Sequence, residues 1–224
     1  MNLAQRLAEI QARLDAAARA AGRDPASVTL LAVSKTFPPE AIAEALAAGQ
    51  TLFGESRAQE LRDKAPLLPQ ARWHYIGPLQ RNKVKYVVGR VEMVQSVDSL
   101  DLALALHERV LATGAAPLPV LVEVHLGDEE TKHGLAPEAV LPLCRQLQGL
   151  SGLRLSGLMA IPPWCEDPQD AAPYFQQLAA LAAQGRAEGL PLTELSMGMS
   201  HDFEVAIACG ATIVRVGTAL FGAR

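Results

Sequence analysis

Eight short apolar runs, separated by helical patterns most of which stop at a glycine, predict an α/β chain folded as a single (β/α)8 TIM-type barrel with an extra N-terminal helix. Three observations carry this expectation. The runs read as nearly continuous Val/Ile/Leu stretches, the pattern of parallel strands covered on both faces by their own crossover helices. About eight strand–helix units fit 224 residues, half of them hydrophobic, which is enough for one substantial core and too little for two generous domains. The rival architecture, an open doubly wound sheet binding a dinucleotide, would need a Gly-x-Gly-x-x-Gly turn after an early strand, and none is present. One domain spanning residues 1–224 is therefore expected.

The first element, MNLAQRLAEIQARLDAAARAAG, sets Leu3, Leu7, Ile10 and Leu14 on one stripe, with Arg6, Glu9 and Arg13 elsewhere on the wheel. It reads as an amphipathic helix closed near Gly22, without the uninterrupted apolar core of a signal peptide. The strand candidates follow as VTLLAVSK, TLFGES, ARWHYIG, VEMVQSVD, PVLVEVHL, LRLSGLMAI, TELSMGMS and TIVRVGTA. Between them lie helical stretches such as PPEAIAEALAAG, SLDLALALHERVLATG and AAPYFQQLAALAAQGRAEG, each ending at a glycine suited to a left-handed cap. The proline-rich IPPWCEDPQDAAP segment is the one long irregular connection, expected at the rim.

A formal net charge of −4 offers no global attraction to nucleic acid or to an anionic membrane face, so any anion site must be local. No stretch reaches the length of a membrane span without a charge or a breaker. Cys144, Cys165 and Cys209 are odd in number, far apart and without metal-ligand spacing, which suits a reducing compartment and argues against a disulfide framework or a zinc site. A cytoplasmic protein without nucleic-acid or membrane partners is expected.

Lys35 ends the first strand, at the end from which barrel enzymes build their sites. Partly desolvated there, an amine becomes a nucleophile able to condense with an aldehyde; the plain alternative is a solvated strand-end lysine. LSMGMS and TIVRVGTALFG end the seventh and eighth strands, after which barrels often hold a phosphate. Gly198, Gly217 and Gly222 permit close backbone approach there, Ser200 and Thr218 supply hydroxyls, and a short helix starting near His201 would aim its positive end at the same place. Two ordinary turns that need glycine would look the same. Arg215, inside an apolar strand, needs a partner: a carboxylate such as Glu123 or Glu194, or a ligand. His74 and Tyr75 occupy opposite faces of their strand, and a lone strand histidine is ordinarily a hydrogen-bonded core residue. RNKVK reads as a solvated helix face, and His133 and His201 as loop or cap residues.

These residues lie in AVSKTFPPE, FGESRAQE, WHYIGPLQRNK, VLVEVHLGDEETKHG, GLMAIPP and LSMGMSHDFEVAIACGATIVRVGTALFG. In that order the stretches resemble the pyridoxal phosphate homeostasis proteins, whose domain is similar to the barrel of alanine racemase. The resemblance implies that Lys35 holds pyridoxal 5′-phosphate as a Schiff base, that Ser200, Gly217 and Thr218 cradle its phosphate, that Arg215 faces the pyridine nitrogen, and that His74 lines the pocket. It departs at Ser56, where the family usually has asparagine, so one cofactor contact is in doubt there. No catalytic residue and no metal are implied. Arginine disfavours a proton on the pyridine nitrogen, and racemases also draw a second acid/base from a β-rich domain of a partner subunit. That domain is not expected in a chain ending at Arg224. A non-enzymatic binder of the cofactor, with pyridoxal-phosphate-dependent apoenzymes as recipients and a monomeric state, is the first expectation. A racemase using His74 or His201 as second base, and a cofactor-free phosphosugar aldolase using Lys35, are the alternatives.

Overall fold

The computed structural model describes residues 1–127 and 133–222; the first five residues of the DEETKHG stretch lie outside them. The chain runs α1 (Leu3–Ala20), β1 (Thr29–Val33), α2 (Pro39–Ala47), β2 (Leu52–Glu55), α3 (Ala58–Lys64), β3 (Arg72–Tyr75), α4 (Val84–Val87), β4 (Met93–Val97), α5 (Leu100–Thr113), β5 (Leu118–Val124), α6 (Pro137–Leu147), β6 (Leu153–Ala160), α7 (Ala172–Ala187), β7 (Glu194–Met199), α8 (Phe203–Ala208), β8 (Ile213–Val216) and α9 (Thr218–Phe221). The strands close into one parallel barrel in sequence order, with β8 returning to β1. Every strand candidate is a strand, and the differences are confined to the ends: β1 stops at Val33, which leaves Ser34 and Lys35 beyond its carboxyl end.

Two apolar clusters divide the core. Leu31, Leu52, Met93, Leu121, Met159 and Ile213 fill the barrel interior, while the larger cluster lies between the strands and the surrounding helices. Side chains alternate across a strand, so the residue two places on points the same way. Gln95 thus follows Met93 into the barrel, Glu123 follows Leu121, and Arg215 follows Ile213, forming a polar layer above an apolar floor.

The additional helix opens with a capping box, Asn2 accepting from the Gln5 amide at 2.9 Å while the Gln5 side chain accepts from the Asn2 amide at 3.0 Å. Leu3, Ile10 and Leu14 are buried, and Leu7 is only half-buried. Two arginines expected on its solvated face instead fasten it: Arg6 donates to the Leu220 carbonyl at 2.6 Å, and Arg13 pairs with Glu204 while lying 4.8 Å over the Phe203 ring. Among the described residues no helix is long and apolar enough to cross a membrane.

Gly157 sets how closely β6 and β7 approach, because a Cβ there would collide with the Glu194 carbonyl oxygen of the neighbouring strand. Gly157→Ala is expected to lower unfolding stability in urea by about 1–3 kcal/mol through overpacking. Gly149→Ala, whose Cβ would meet only the Gln146 oxygen at 3.5 Å, should stay within about 0.5 kcal/mol. Equal midpoints for the two variants would contradict this account.

Candidate ligand-binding site

All eight strands are parallel, so their carboxyl ends meet at one mouth. A cavity of about 550 Å³ opens there, lined by Val33, Lys35, Phe37, Ser56, Ile76, Ile161, Met199, Ser200, His201, Arg215, Gly217 and Thr218. Its size and its mixture of apolar wall with a few polar groups suit a small anionic ligand. A larger groove of about 740 Å³ between α1, α7 and α8 is lined half by alanines, and its polar side chains Arg13 and Glu204 are already paired with each other. Of the residues singled out in the sequence, Lys35, Ser56, Ser200, Arg215, Gly217 and Thr218 meet at the mouth. His74 is not among those lining it.

Lys35 is exposed, so the desolvation expected for its amine is not seen. Its side chain has no hydrogen-bond or ion-pair partner among the described residues. Across the cavity, the Ser200 hydroxyl accepts from the amides of Gly217 at 3.3 Å and Ala219 at 3.4 Å, drawing the ends of β7 and β8 together. The pairing of these strands slips between Ser196 and Met199. Gly198 sits in the slip with φ +88°, and a Cβ there would lie 2.5 Å from that of Ala206, so only glycine fits. The short helix expected near His201 begins at Phe203. His201 is exposed, its Nε2 lies 3.0 Å from the Glu166 carbonyl, and its ring stacks 6.2 Å from that of Trp164. The first part of the IPPWCEDPQDAAP segment is thus a rim loop, with Trp164 75% exposed, while Pro168–Ala171 form a helical turn that leads into α7.

Arg215 is 4% exposed, and neither carboxylate offered as one alternative pairs with it. It donates to the Ser196 carbonyl at 2.8 Å, to the Ser196 hydroxyl at 2.7 Å and to the Ala160 carbonyl at 2.8 Å. Glu194 instead accepts from the Thr212 hydroxyl, and Glu123 lies beyond ion-pair reach. Burial pulls the guanidinium down to about 10, against the nearby carboxylates Glu123 and Asp202, so it stays charged at neutral pH. Burial, with Asp98 adding repulsion, pushes Glu123 up to about 7, while Arg215 pulls the other way.

The Ser196 hydroxyl in turn donates to Gln95 Oε1 at 2.6 Å, and Gln95 Nε2 lies 2.8 Å from His74 Nδ1. Gln95 turns its oxygen to Ser196 and its N–H donors to His74, and this orientation sets the direction of the chain. Ser196 must give its proton to the Gln95 oxygen, Gln95 must give an N–H to Nδ1, and His74 is left as the neutral Nε2–H tautomer. Burial also lowers His74 from 6.5 to about 4. Gln95 and Ser196 escaped notice in the sequence, although the reasoning that singled out Arg215, a polar residue at an inward position of an apolar strand, applies equally to both.

These shifts act oppositely on stability. Between pH 6.5 and about 4 the unfolded chain takes a proton that the folded His74 refuses, so its effect is a loss of stability as pH falls. Glu123, raised from 4.5 to about 7, keeps in the folded state a proton the unfolded chain has lost, so its contribution disappears as pH rises through that window. We expect ¹⁵N imidazole spectra to show His74 as the neutral Nε2–H tautomer at pH 6, with protonation delayed to about 4. Gln95→Glu, which replaces the donor by an acceptor, should raise that value; an unshifted titration would refute the relay.

Comparison with known proteins agrees with this architecture. Residues 5–224 match the model of the alanine racemase N-terminal domain. A pyridoxal phosphate homeostasis protein of Aquifex aeolicus is 44% identical over 227 residues, covering 100% of this chain and 99% of its own length. One from Pseudomonas aeruginosa is 46% identical over 224 residues, covering 99% and 96%. Among solved structures, PipY of Synechococcus elongatus with pyridoxal phosphate bound superposes with a TM-score of 0.86 at 38% identity, covering 99% of this chain and 100% of that one. A D-threonine aldolase from Filomicrobium marinum, with a TM-score of 0.73 at 19% identity, shares the fold over 94% of this chain and 59% of its own. The chain belongs to the alanine racemase N-terminal domain family and, within it, to the pyridoxal phosphate homeostasis proteins.

Proposed function

We propose that this chain is a pyridoxal-phosphate-binding protein of cofactor homeostasis, holding the cofactor as a Schiff base on Lys35 without catalytic turnover. The observation that carries the reading is the cavity at the barrel mouth, which brings a partnerless amine, two hydroxyl-bearing turns and a buried guanidinium to one space. The residues fit the group. Lys35 supplies the amine for the aldehyde, and Ser200, Gly217 and Thr218 offer hydroxyls and backbone amides to the phosphate. Arg215 meets the ring nitrogen with a donor that has no proton to yield at neutral pH. Ser56 lines the same wall with a shorter side chain than the family's usual asparagine.

When bound, the cofactor would supply an electron sink at an amino acid's α-carbon, deep only when its ring nitrogen is protonated. Arg215 opposes that protonation. Turnover would further need a proton donor at the substrate. His74 is buried away from the cavity in a neutral state, and His201 at the rim has Nε2 engaged by the Glu166 carbonyl. A one-domain, monomeric carrier that gives its cofactor to pyridoxal-phosphate-dependent apoenzymes is the form of function these features support. That relatives at 44% and 46% identity are pyridoxal phosphate homeostasis proteins agrees with it.

The protein incubated with pyridoxal phosphate should acquire a visible Schiff-base absorbance that Lys35→Ala lacks. Borohydride reduction and peptide mass spectrometry should place the pyridoxyl group on Lys35. A pyridoxyl group on another lysine would overturn the site, and rapid exchange of an amino acid's α-hydrogen in deuterated buffer would overturn the non-enzymatic reading.

A further inference from the structure

We propose that Glu60 and Lys64 of α3, anchored on the buried Glu55, are positioning residues for Lys35: they clamp the main chain on both sides of it and thereby aim a side chain that has no partner of its own. The inference rests on the reading of Lys35 as the cofactor-bearing residue. Lys64 Nζ has three protons and three acceptors, Glu55 Oε2 at 2.8 Å, Glu60 Oε2 at 2.7 Å and the carbonyl of Ser34 at 3.1 Å. The residue before Lys35 is thus held by a lysine only 8% exposed in its side chain, paired with a wholly buried glutamate.

The residue after it is held as well. The Thr36 amide donates to Glu60 Oε2 at 2.9 Å, the same oxygen that receives Lys64. Thr36 has φ +68°, the one non-glycine residue with a positive φ among the described residues. For a β-branched residue this conformation is strained and persists only when its surroundings impose it. The Glu60 carboxylate, which holds the Thr36 amide, does so. A turn from the Phe37 amide to the Ser34 carbonyl, 3.1 Å, closes the loop, and the Ser34 amide and hydroxyl both reach the Gly54 carbonyl of β2.

The same cluster extends to the neighbouring wall of the cavity. Glu55 Oε1 accepts from the amides of Ser56 at 2.8 Å and Arg57 at 3.3 Å, so one buried carboxylate holds the loop after β2 while its other oxygen holds the lysine that grips the loop after β1. A buried ion cluster contributes little net stability, because desolvation offsets most of its attraction. What it supplies here is geometry. Two loops from adjacent strands are locked to one helix, and the residue whose amine faces the cavity sits between the two grips.

The test compares the rate at which free pyridoxal phosphate generates the Schiff-base absorbance, at equal protein concentration, with urea midpoints measured in parallel. Glu60 is partly exposed, so Glu60→Ala should fold. We expect it to slow absorbance growth by at least about tenfold through misplacement of the amine. Glu60→Gln keeps an acceptor for the Thr36 amide and should recover most of the rate. Thr36→Gly, added to Glu60→Ala, should restore part of it, because glycine adopts a positive φ without a clamp; a cluster that only steadies α3 would not respond to that change. A wild-type rate in Glu60→Ala, whatever its urea midpoint, or failure of both rescues, overturns the proposal. Absence of the absorbance in the wild-type protein would instead sink the Lys35 reading on which the proposal rests.

Discussion

The Arg215 guanidinium, in the middle of a closed barrel, is tolerable only where its donors find acceptors that the sheet itself has not consumed. A barrel has no open edge, so such acceptors must come from strand ends and irregularities. The Ala160 carbonyl ends β6, and Ser196 stands at the slip in pairing between β7 and β8. The same slip needs the positive φ of Gly198 and turns the chain toward Ser200, whose hydroxyl then gathers the amides at the start of α9. The acceptor of the buried charge, the bulge, the glycine and the turn that faces Lys35 therefore occupy one continuous stretch of chain through the end of β7. The charge is also linked to the interior, through the Ser196 hydroxyl and the Gln95 amide, as far as His74.

The fold was legible because the barrel writes itself into the sequence twice, as apolar runs for strands buried on both faces and as glycine-terminated helices between them. The mouth residues were legible for a related reason: in an all-parallel barrel the carboxyl end of every strand reaches the same place, so Lys35, Ser200, Arg215 and Thr218 could be grouped without knowing their distances. Of the two partners the sequence offered Arg215, a carboxylate or a ligand, the carboxylate is not the one its donors reach. A charge in an apolar strand demands compensation, but the sequence does not say whether a carboxylate or a set of carbonyls provides it, and carbonyls are identical at every position. Glu123, two residues beyond the inward-facing Leu121, is at an inward position yet too far from Arg215 to pair, and burial holds it largely protonated below about pH 7 instead. The Glu55–Glu60–Lys64 cluster was hidden for another reason. Its members are i, i+4 neighbours or strand-end residues that read as ordinary surface charges until α3 folds back over the loop bearing Lys35.

Two arrays of opposite character thus flank the cavity. Beneath it runs a chain of hydrogen bonds that ends in neutral His74, and beside it sits an ionic cluster of two carboxylates on one ammonium, with Arg57 paired to Glu60 at its edge. Both act on the cavity through residues that stand back from it: Gln95, Glu55, Glu60 and Lys64 lie outside its lining. That is an economical way to hold a reactive site, since the lining stays free to meet a ligand while its geometry is set by groups that never touch one.

The exposure of Lys35 bears on what such a site can do. Enzymes that use a lysine nucleophile commonly bury the amine or set it beside another cation, so that it loses its proton and reacts quickly. Here the amine is open to water and is prepared by the placement of its backbone. Placement without desolvation lowers the entropic cost of capturing an aldehyde but leaves the linkage accessible to water and to competing amines, and so leaves capture reversible. Under the proposed function, a protein that keeps a reactive aldehyde scarce needs that combination. A catalyst that must hold its cofactor through many turnovers does not.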